Sequence, residues 1–266
     1  MTEEDLKKVN GESTNIDVLD SNYPLMIMMR ERAPGSLMHS KNISLILESI
    51  GADLKLDVVK LRIAGHYHDI GKTVNPKYFT ENQADDDGNP HDTMDPLLST
   101  KIITSHVGDT AQILINDENI PREVVEWCSQ HHGTTVLRAF ANKSESSNID
   151  QFRYKCSRPK TIEAMLLMLC DHLEARCRSL NQAGKLNDVS ELVDLVFQEL
   201  LEDEQFDDVS LPKLGDLRRI KELIKREMKG QYHKRVDYDK EKEIVNGEGD
   251  KLNGNGSSNG NGSQDS

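Results

Sequence analysis

The segment from Thr161 to Leu180 limits the possible folds more than any other part of the chain. Its longest uninterrupted apolar run is 164–170, and its apolar side chains recur at helical spacing: Ile162, Met165, Leu166, Leu169 and Leu173. This spacing is typical of a helix that packs against other helices. The run is far shorter than the ~20 apolar residues of a membrane-spanning helix. We therefore expect a buried helix in a soluble domain.

The same helical spacing recurs along the chain, and the alternation typical of β-strands is almost absent. Asp95-Pro96 and Pro121 predict helix starts, Gly51, Gly71 and Gly133 predict helix ends, and Asp188-Val-Ser-Glu191 resembles a capping box. Predicted apolar stripes include Leu45, Ile46 and Ile50, and then Leu56, Val59, Leu61 and Ile63. The predicted fold class is all-α, a helical bundle. A long irregular stretch, roughly 73–93, has a length that is often functional.

The two ends of the chain have compositions that cannot form a core. We predict a disordered lead-in at 1–16, one folded domain at 17–238 and a disordered tail at 239–266, which becomes rich in Gly, Asn and Ser. No secretory signal peptide is evident in the sequence. The four cysteines form no CxxC pair, which favours a reducing, cytoplasmic setting.

The charge balance limits the partners. Lys and Arg number 33 against 46 Asp and Glu, a net charge of −13. Domains that coat long nucleic acids usually carry the opposite balance, so we expect no long nucleic acid partner. An acidic chain that handles a small anionic substrate needs local cations, and bound metal ions are the obvious source.

Asp171 is the most informative single residue, because it follows the apolar run in the middle of the predicted buried helix. An unpaired buried carboxylate costs several kcal/mol. Asp171 is therefore paired, hydrogen-bonded or bound to a cation, unless it lies on the exposed edge of its helix.

Several histidines stand near predicted helix ends: His39, His68 beside Asp69, His106, and His131 beside His132. A single histidine in such a place is more often a cap or a surface residue than a ligand. Together with Asp171, however, the set offers imidazole and carboxylate donors, which suit iron, manganese, cobalt or zinc. Five histidines and two aspartates are too many for one ion. They suit two ions ~3.5–4 Å apart that share a bridging carboxylate.

An ordered series of motifs surrounds these residues. It comprises Ala33-Pro34-Gly35-Ser36 before His39, His66-Tyr67-His68-Asp69-Ile70-Gly71-Lys72, Tyr78-Phe79-Thr80-Glu81-Asn82-Gln83, Asn89-Pro90-His91-Asp92, Ser105-His106-Val107, Gln130-His131-His132-Gly133-Thr134-Thr135, Phe152-Arg153-Tyr154, and Asp171 with Glu174. The series continues with Leu201-Glu202-Asp203, Gln205-Phe206-Asp207, Lys229-Gly230 and Tyr232-His233. It resembles the HD-domain phosphohydrolases, and in particular the cytoplasmic catalytic domain of the seven-transmembrane HD phosphodiesterases, which hydrolyse cyclic di-AMP.

The resemblance implies roles for the matching residues. The implied ligands of two divalent ions, manganese or iron, are His39, His68, Asp69, His106, His131 and Asp171. Asp69 bridges the ions, with His39, His68 and Asp171 on one and His106 and His131 on the other. Lys72 contacts the phosphate or Asp69, and His132 contacts the phosphate or makes an outer-shell contact. Glu81, Asn82 and Gln83 are weaker candidates for substrate or second-shell contacts. His66, His91 and His233 also match the family pattern but are expected to be structural or peripheral. His172 is expected to point away from Asp171 by about a third of a helical turn and not to bind metal.

The implied reaction is hydrolysis of cyclic di-AMP to the linear dinucleotide 5′-pApA by a hydroxide that two metal ions activate. His132 or a water protonates the leaving 3′-oxygen, and Asp69, Lys72 and His132 are the implied catalytic residues. The alternatives are an HD hydrolase for another nucleotide (cyclic di-GMP, a mono- or triphosphate, or an alarmone) and a non-catalytic module that binds cyclic dinucleotides. The Gly-Tyr-Pro motif of the cyclic di-GMP subgroup is absent from the sequence.

Two features depart from the family pattern: Lys155-Cys156-Ser157-Arg158 replaces a region rich in Gly and Pro, and Asp85-Asp86-Asp87 adds charge to the long loop. Both departures concern the substrate pocket and leave the implied metal ligands unchanged. The family's membrane region and outer sensor are missing from the sequence. The chain is therefore expected to be either an excised cytoplasmic domain of an inner-membrane protein or a free-standing relative, and an oligomer is compatible with either.

Overall fold

A computed structural model describes residues 17–83, 88–210 and 214–249. Within these ranges, the side chains of Leu214 and of residues 233–249 are not described. These ranges contain nine α-helices: α1 Pro24–Arg32, α2 Pro34–Leu54, α3 Val58–Tyr67, α4 Pro96–Ile115, α5 Arg122–Gln130, α6 Arg138–Lys143, α7 Ile162–Gln182, α8 Val189–Glu202 and α9 Leu214–Gly249. Short 3₁₀ helices lie at Ile70–Thr73, Pro76–Tyr78, Thr80–Asn82, Pro90–Asp92 and Ile149–Phe152. The same ranges hold no β-strand, only one isolated bridge between Val136 and Arg153. The predicted all-α class is confirmed.

The helix starts follow the predicted capping residues. Asp95 accepts hydrogen bonds from the backbone amides of Leu97 and Leu98 at 2.9 and 3.0 Å. Asp188 accepts from the amide of Ser190 at 2.6 Å, and Pro121 stands at the N-cap of α5. These contacts satisfy amides that have no partner inside the helix.

Helix α7 is the central helix of the bundle. Every side chain from Met165 to Cys170 is fully buried, and Asp171 is only 5% exposed. The helix packs against α2, α5 and α8. Asp171 therefore lies inside the bundle, and the exposed-edge alternative for this residue is wrong.

Some sequence expectations were wrong in detail. His39 and His106 lie inside α2 and α4, not at helix ends, and α2 continues past Gly51 to Leu54. Leu45 and Val59 are 65% and 62% exposed, because the core of α2 and α3 uses a narrower stripe than their apolar residues suggest. The predicted irregular stretch contains several short 3₁₀ helices.

The structure describes none of the predicted lead-in and only the first part of the predicted tail. Helix α9 continues past Tyr238, where the sequence predicts the domain to end, as far as Gly249. The Lys- and Glu-rich composition of this extension is compatible with a helix. The lead-in at 1–16, the loop 84–87 that holds the three aspartates, the tail from 250 and the side chain of His233 lie outside the described residues. None of the described helices is both long enough and apolar enough to span a bilayer.

Candidate metal centre

The structure brings all six predicted ligands together at the centre of the bundle. His39 comes from α2, His106 from α4 and Asp171 from α7, while the other three follow the ends of α3 and α5. Each of the six is at most 5% exposed: His39, His68, Asp69, His106, His131 and Asp171. Buried imidazoles and carboxylates at this density need a partner that compensates for lost hydration.

Asp69 lies between two groups of possible ligands. One group is His39, His68, Asp69 and Asp171, and the other is Asp69, His106, His131 and His132. Within each group, one donor atom per residue lies within 4.8 Å of the others. Asp69 Oδ2 lies 3.6 Å from His39 Nε2 and 3.2 Å from His68 Nε2. Asp69 Oδ1 lies 3.3 Å from His106 Nε2 and 3.8 Å from His131 Nε2, so the carboxylate presents one oxygen to each group.

The orientation of each histidine ring is set by its Nδ1 atom. The Nδ1 atoms of His68, His106 and His131 contact the backbone carbonyls of Gly65, Ile103 and Cys128 at 3.0, 2.6 and 2.5 Å. Because a carbonyl oxygen only accepts, each Nδ1 carries the proton and donates. The Nε2 atom of each ring then faces the cluster and offers a lone pair there when the ring is neutral, as in metal-binding histidines. Burial lowers the pKa of His68, but Asp69 and Asp171 outweigh burial and raise this pKa to about 10, so His68 must release a proton to bind a metal ion.

His39 is oriented by a carboxylate instead of a carbonyl. Its Nδ1 donates to Glu174 Oε2 at 2.5 Å, and its Nε2 lies 2.9 Å from Asp171 Oδ1. Glu174 is fully buried and also accepts from Asn42 at 3.2 Å. The sequence analysis quoted Glu174 but gave it no role. Its position three residues after Asp171, on the same helix face, was the available signal.

The donor atoms of the cluster fit a divalent transition-metal ion. His68 Nε2 and Asp69 Oδ1 are buried, and neither has a hydrogen-bond partner of adequate geometry in the described part of the chain. His106 Nε2 and Asp69 Oδ1 are both acceptors in the tautomer described above, so a cation or a proton between them removes their repulsion. Mixed imidazole and carboxylate donors suit transition metals better than magnesium or calcium.

The residues of the cluster differ in how their surroundings shift their pKa values. Burial raises the pKa of Asp69, but the charges of Lys72 and His68 outweigh burial and hold this pKa well below its usual value. Burial, reinforced by the charge of His68, lowers the pKa of His131 to about 3. Asp69 is therefore ionised and His131 neutral at pH 7, the protonation states that metal ligands require.

His132 has a more specific environment than its predicted role suggests. Its ring stacks on Tyr154 with 4.2 Å between centroids, and its Nδ1 lies 3.5 Å from Asp171 Oδ2. Burial and the neighbouring His131 hold its pKa well below the usual value. A neutral imidazole is a poor proton donor, so this environment favours a ligand or acceptor role over protonation of a leaving group.

The predicted substrate residues divide into two sets. Lys72 Nζ lies 2.8 Å from Asp69 Oδ2 and 2.7 Å from Glu81 Oε1, so it bridges the cluster and the irregular segment. Asn82 contacts Ser36 through both side-chain atoms, and Gln83 Nε2 donates to the carbonyl of Lys77. Lys72 and Glu81 reach the cavity wall, whereas Asn82 and Gln83 support the segment behind it.

A cavity of about 600 Å³ opens over the cluster. Its wall includes His39, Lys72, Phe79, Glu81, His106, His132, Leu137, Tyr154, Asp171, His172, Arg176 and Arg178. His172 was expected to point away from Asp171, yet a ring nitrogen of His172 lies within 4.8 Å of donor atoms of His132 and Asp171. A larger groove of about 790 Å³ lies between α4 and α5 and contains none of the predicted ligands.

His66 and His91 lie outside the two groups. His66 Nδ1 donates to the carbonyl of Arg62 at 3.2 Å, and His91 Nε2 to the carbonyl of Tyr78 at 3.0 Å. These local contacts are compatible with the structural roles that the sequence analysis expected for them.

Comparison with known proteins places this geometry in context. Residues 37–176 match the HD domain family. The chain is 31% identical over 232 residues to the cyclic-di-AMP phosphodiesterase PgpH of Listeria monocytogenes, which covers 86% of this chain and 32% of that protein. It is 32% identical over 227 residues to PgpH of Bacillus subtilis, covering 84% of this chain and 31% of that protein. The chain thus spans about a third of the length of these curated relatives.

The fold is also similar to a solved structure. The crystal structure of the L. monocytogenes PgpH HD domain in complex with cyclic di-AMP superposes with a TM-score of 0.72 at 30% identity. The match covers 80% of this chain and 100% of that chain. The fold of this chain is therefore similar to that of an HD domain solved with cyclic di-AMP.

Proposed function

Because the chain belongs to the HD-domain family, we propose that it is a metal-dependent phosphodiesterase that hydrolyses cyclic di-AMP to 5′-pApA. The observation that carries the proposal is the position of Asp69, which presents one carboxylate oxygen to each of two buried ligand groups beneath a cavity. The similarity to proteins named cyclic-di-AMP phosphodiesterase supports the choice of substrate.

The proposed site holds two divalent ions, manganese or iron. His39, His68, Asp69 and Asp171 hold one, while Asp69, His106 and His131 hold the other, with His132 close enough to complete the second set. When bound, such ions acidify water and neutralise charge on phosphate oxygens. The first set contains two carboxylates and the second only one, which predicts unequal affinities.

The chain's own residues prepare the site for a phosphodiester. Lys72 balances the charge of Asp69 and keeps this carboxylate ionised. Backbone carbonyls hold three histidine rings, and Glu174 holds the fourth, so the donors are oriented before any ligand arrives. Phe79, Leu137 and Tyr154 give the cavity wall apolar and aromatic surface suited to a nucleotide base. In-line attack of water at phosphorus breaks the bond to the 3′-oxygen. The water oxygen stays on the resulting 5′-phosphate, and a proton released by the water ends on the 3′-oxygen.

We also propose a cytoplasmic setting. Cys128, Cys156, Cys170 and Cys177 are all free, as expected in a reducing compartment.

The proposal is tested by incubating purified protein with cyclic di-AMP or cyclic di-GMP, in manganese, in ferrous iron and in chelator, and by following the products chromatographically. We expect 5′-pApA to form only with metal and faster than the guanine product. Asp69→Ala loses bound metal and turnover together, because the shared carboxylate is gone. The matched control is Asp207→Ala, which removes an exposed carboxylate.

Two results would contradict the proposal. Full activity of Asp69→Ala would exclude the two-ion site. Failure to cut either dinucleotide by protein with bound metal would exclude the substrate, and nucleotide monophosphates and alarmones would then be the substrates to test.

A further inference from the structure

The proposed substrate carries a charge that the candidate metal centre cannot balance alone. A cyclic dinucleotide has two phosphodiesters on opposite sides of its ring, so only one of them can lie against Asp69 and its neighbours. The other remains within or at the mouth of the cavity. Because the chain is strongly acidic, this second phosphate needs a nearby cationic side chain. The inference that follows rests on the proposed function.

Three cationic side chains line the cavity: Lys72, Arg176 and Arg178. Lys72 is held between Asp69 and Glu81 at 2.8 and 2.7 Å, and only 13% of its side chain is exposed. Arg176 Nη2 is paired with Glu199 Oε2 at 2.6 Å. To bind a phosphate, either residue would first have to give up a close ion pair.

Arg178 is held much less tightly. Its only ion pair in the described part of the chain is a 3.5 Å contact between Nη1 and Glu174 Oε2. Glu174 already accepts one short hydrogen bond from His39 and a longer one from Asn42, so Arg178 is not its main partner. The side chain of Arg178 is 24% exposed, and solvent can be displaced from it.

The position of Arg178 on α7 also fits this role. Asp171, Glu174 and Arg178 follow one another at three and four residues, so they lie along one face of the helix. The face starts at the candidate metal centre and runs along the cavity wall, towards a smaller adjoining pocket that His39, Glu174 and Arg178 share. Arg178 thus lies about 10 Å along the helix axis from Asp171 and lines the same cavity.

We propose that Arg178 binds the phosphate that is not being cut, and that it selects cyclic dinucleotides over substrates with a single phosphodiester. Its guanidinium supplies two parallel donors to the phosphate oxygens, a geometry that lysine does not reproduce. Arg178 is a specificity-determining residue in this proposal and takes no part in bond cleavage.

The test compares two substrates: cyclic di-AMP, with two phosphodiesters, and bis(p-nitrophenyl) phosphate, with one. We expect Arg178→Ala to raise the KM for cyclic di-AMP at least tenfold with a small change in kcat. The ratio of kcat/KM for the two substrates then falls by at least tenfold, and Arg178→Lys restores part of it. The matched control is Arg218→Ala, which removes an exposed arginine of α9 that does not line the cavity, and it shifts this ratio less than twofold.

Binding without turnover gives a second measurement. Cyclic di-AMP is titrated into chelator-treated protein, where neither metal nor cleavage contributes, and Arg178→Ala is expected to weaken this binding at least tenfold. Equal losses on both substrates would show that Arg178 acts through Glu174 and His39, which overturns the inference alone. Wild-type protein that cuts bis(p-nitrophenyl) phosphate but not cyclic di-AMP would overturn the proposed function and the inference with it.

Discussion

Thr110 donates a hydrogen bond from its hydroxyl to the backbone carbonyl of His68 at 3.1 Å. The hydroxyl oxygen of Thr110 also accepts a hydrogen bond from the amide of Gly71 at 2.9 Å. One fully buried side chain therefore holds both ends of the turn that contains Asp69. Thr110 follows His106 by one turn of α4. The contact therefore fixes the distance between the His-Asp pair and a ligand from another helix.

We expect Thr110→Val to lower the free energy of unfolding by about 1–3 kcal/mol, because it leaves a buried amide and a buried carbonyl without partners. Metal affinity should fall as well, because the contacts that hold Asp69 and His106 at a fixed distance from each other are lost. Thr110→Ser keeps the hydroxyl and should retain most of the affinity. Urea unfolding and metal titration measure the two effects, and equal metal affinity in the valine and serine variants would contradict the positioning role.

Gly71 allows the turn to approach α4 closely. A Cβ atom at Gly71 would lie 2.1 Å from the carbonyl oxygen of His106 and 2.5 Å from the amide of Thr110. Both are backbone atoms, so Gly71→Ala must shift the turn or the helix. We expect the free energy of unfolding to fall by more than about 3 kcal/mol and metal binding to be lost. Gly108→Ala is the matched control, because a Cβ there meets nothing within 4 Å. We expect Gly108→Ala to raise the free energy of unfolding by about 0.5–1 kcal/mol, because alanine favours the helix more than glycine. Thermal unfolding of both variants checks the pair, and similar melting temperatures would refute the close-approach argument.

Glu174 is expected to control the metal affinity of His39. Glu174→Gln keeps the side-chain volume but removes the charge that makes the His39 ring more basic and a stronger metal ligand. The metal affinity should therefore fall about 10–100-fold. The exposed Glu191 provides the control Glu191→Gln. Competition with a metal-sensitive dye measures both variants. Unchanged affinity in Glu174→Gln would mean that the short contact with His39 contributes only to packing.

The chelator-treated protein should lose stability on mild acidification. The pKa of His131 is about 3 when folded and 6.5 as its ordinary value, so the unfolded state binds more protons between these limits. Stability from this group is complete above pH 6.5 and is lost as the pH falls towards 3. His131→Asn keeps a donor for the carbonyl of Cys128 without titrating. Between pH 7 and pH 5 we expect the urea midpoint of the wild type to fall more than that of the variant, whereas parallel falls would assign the acid sensitivity to other groups.

The resemblance in sequence selected the ligands, and the structure gathered them from α2, α3, α4, α5 and α7. Asp171 was the clearest signal, because a carboxylate in an apolar helix demands compensation wherever the helix lies. Glu174 received no role: its spacing from Asp171 places it on the same helix face, but its partner His39 is 135 residues away in sequence. His172 was excluded on helical phase, but the ring is long enough to reach the edge of the cluster.

Helical periodicity and capping residues determined the all-α fold, because these properties depend on neighbours in the chain. The candidate ligands were implied by the resemblance of the motif series to a known family. Only the tertiary structure decided that Leu45 and Val59 face solvent and that one oxygen of Asp69 faces each ligand group. It also decided that Lys72 and Arg176 are held in close ion pairs while Arg178 is not. Such differences arise from packing between helices that are distant in sequence, and periodicity along a single helix carries no information about them.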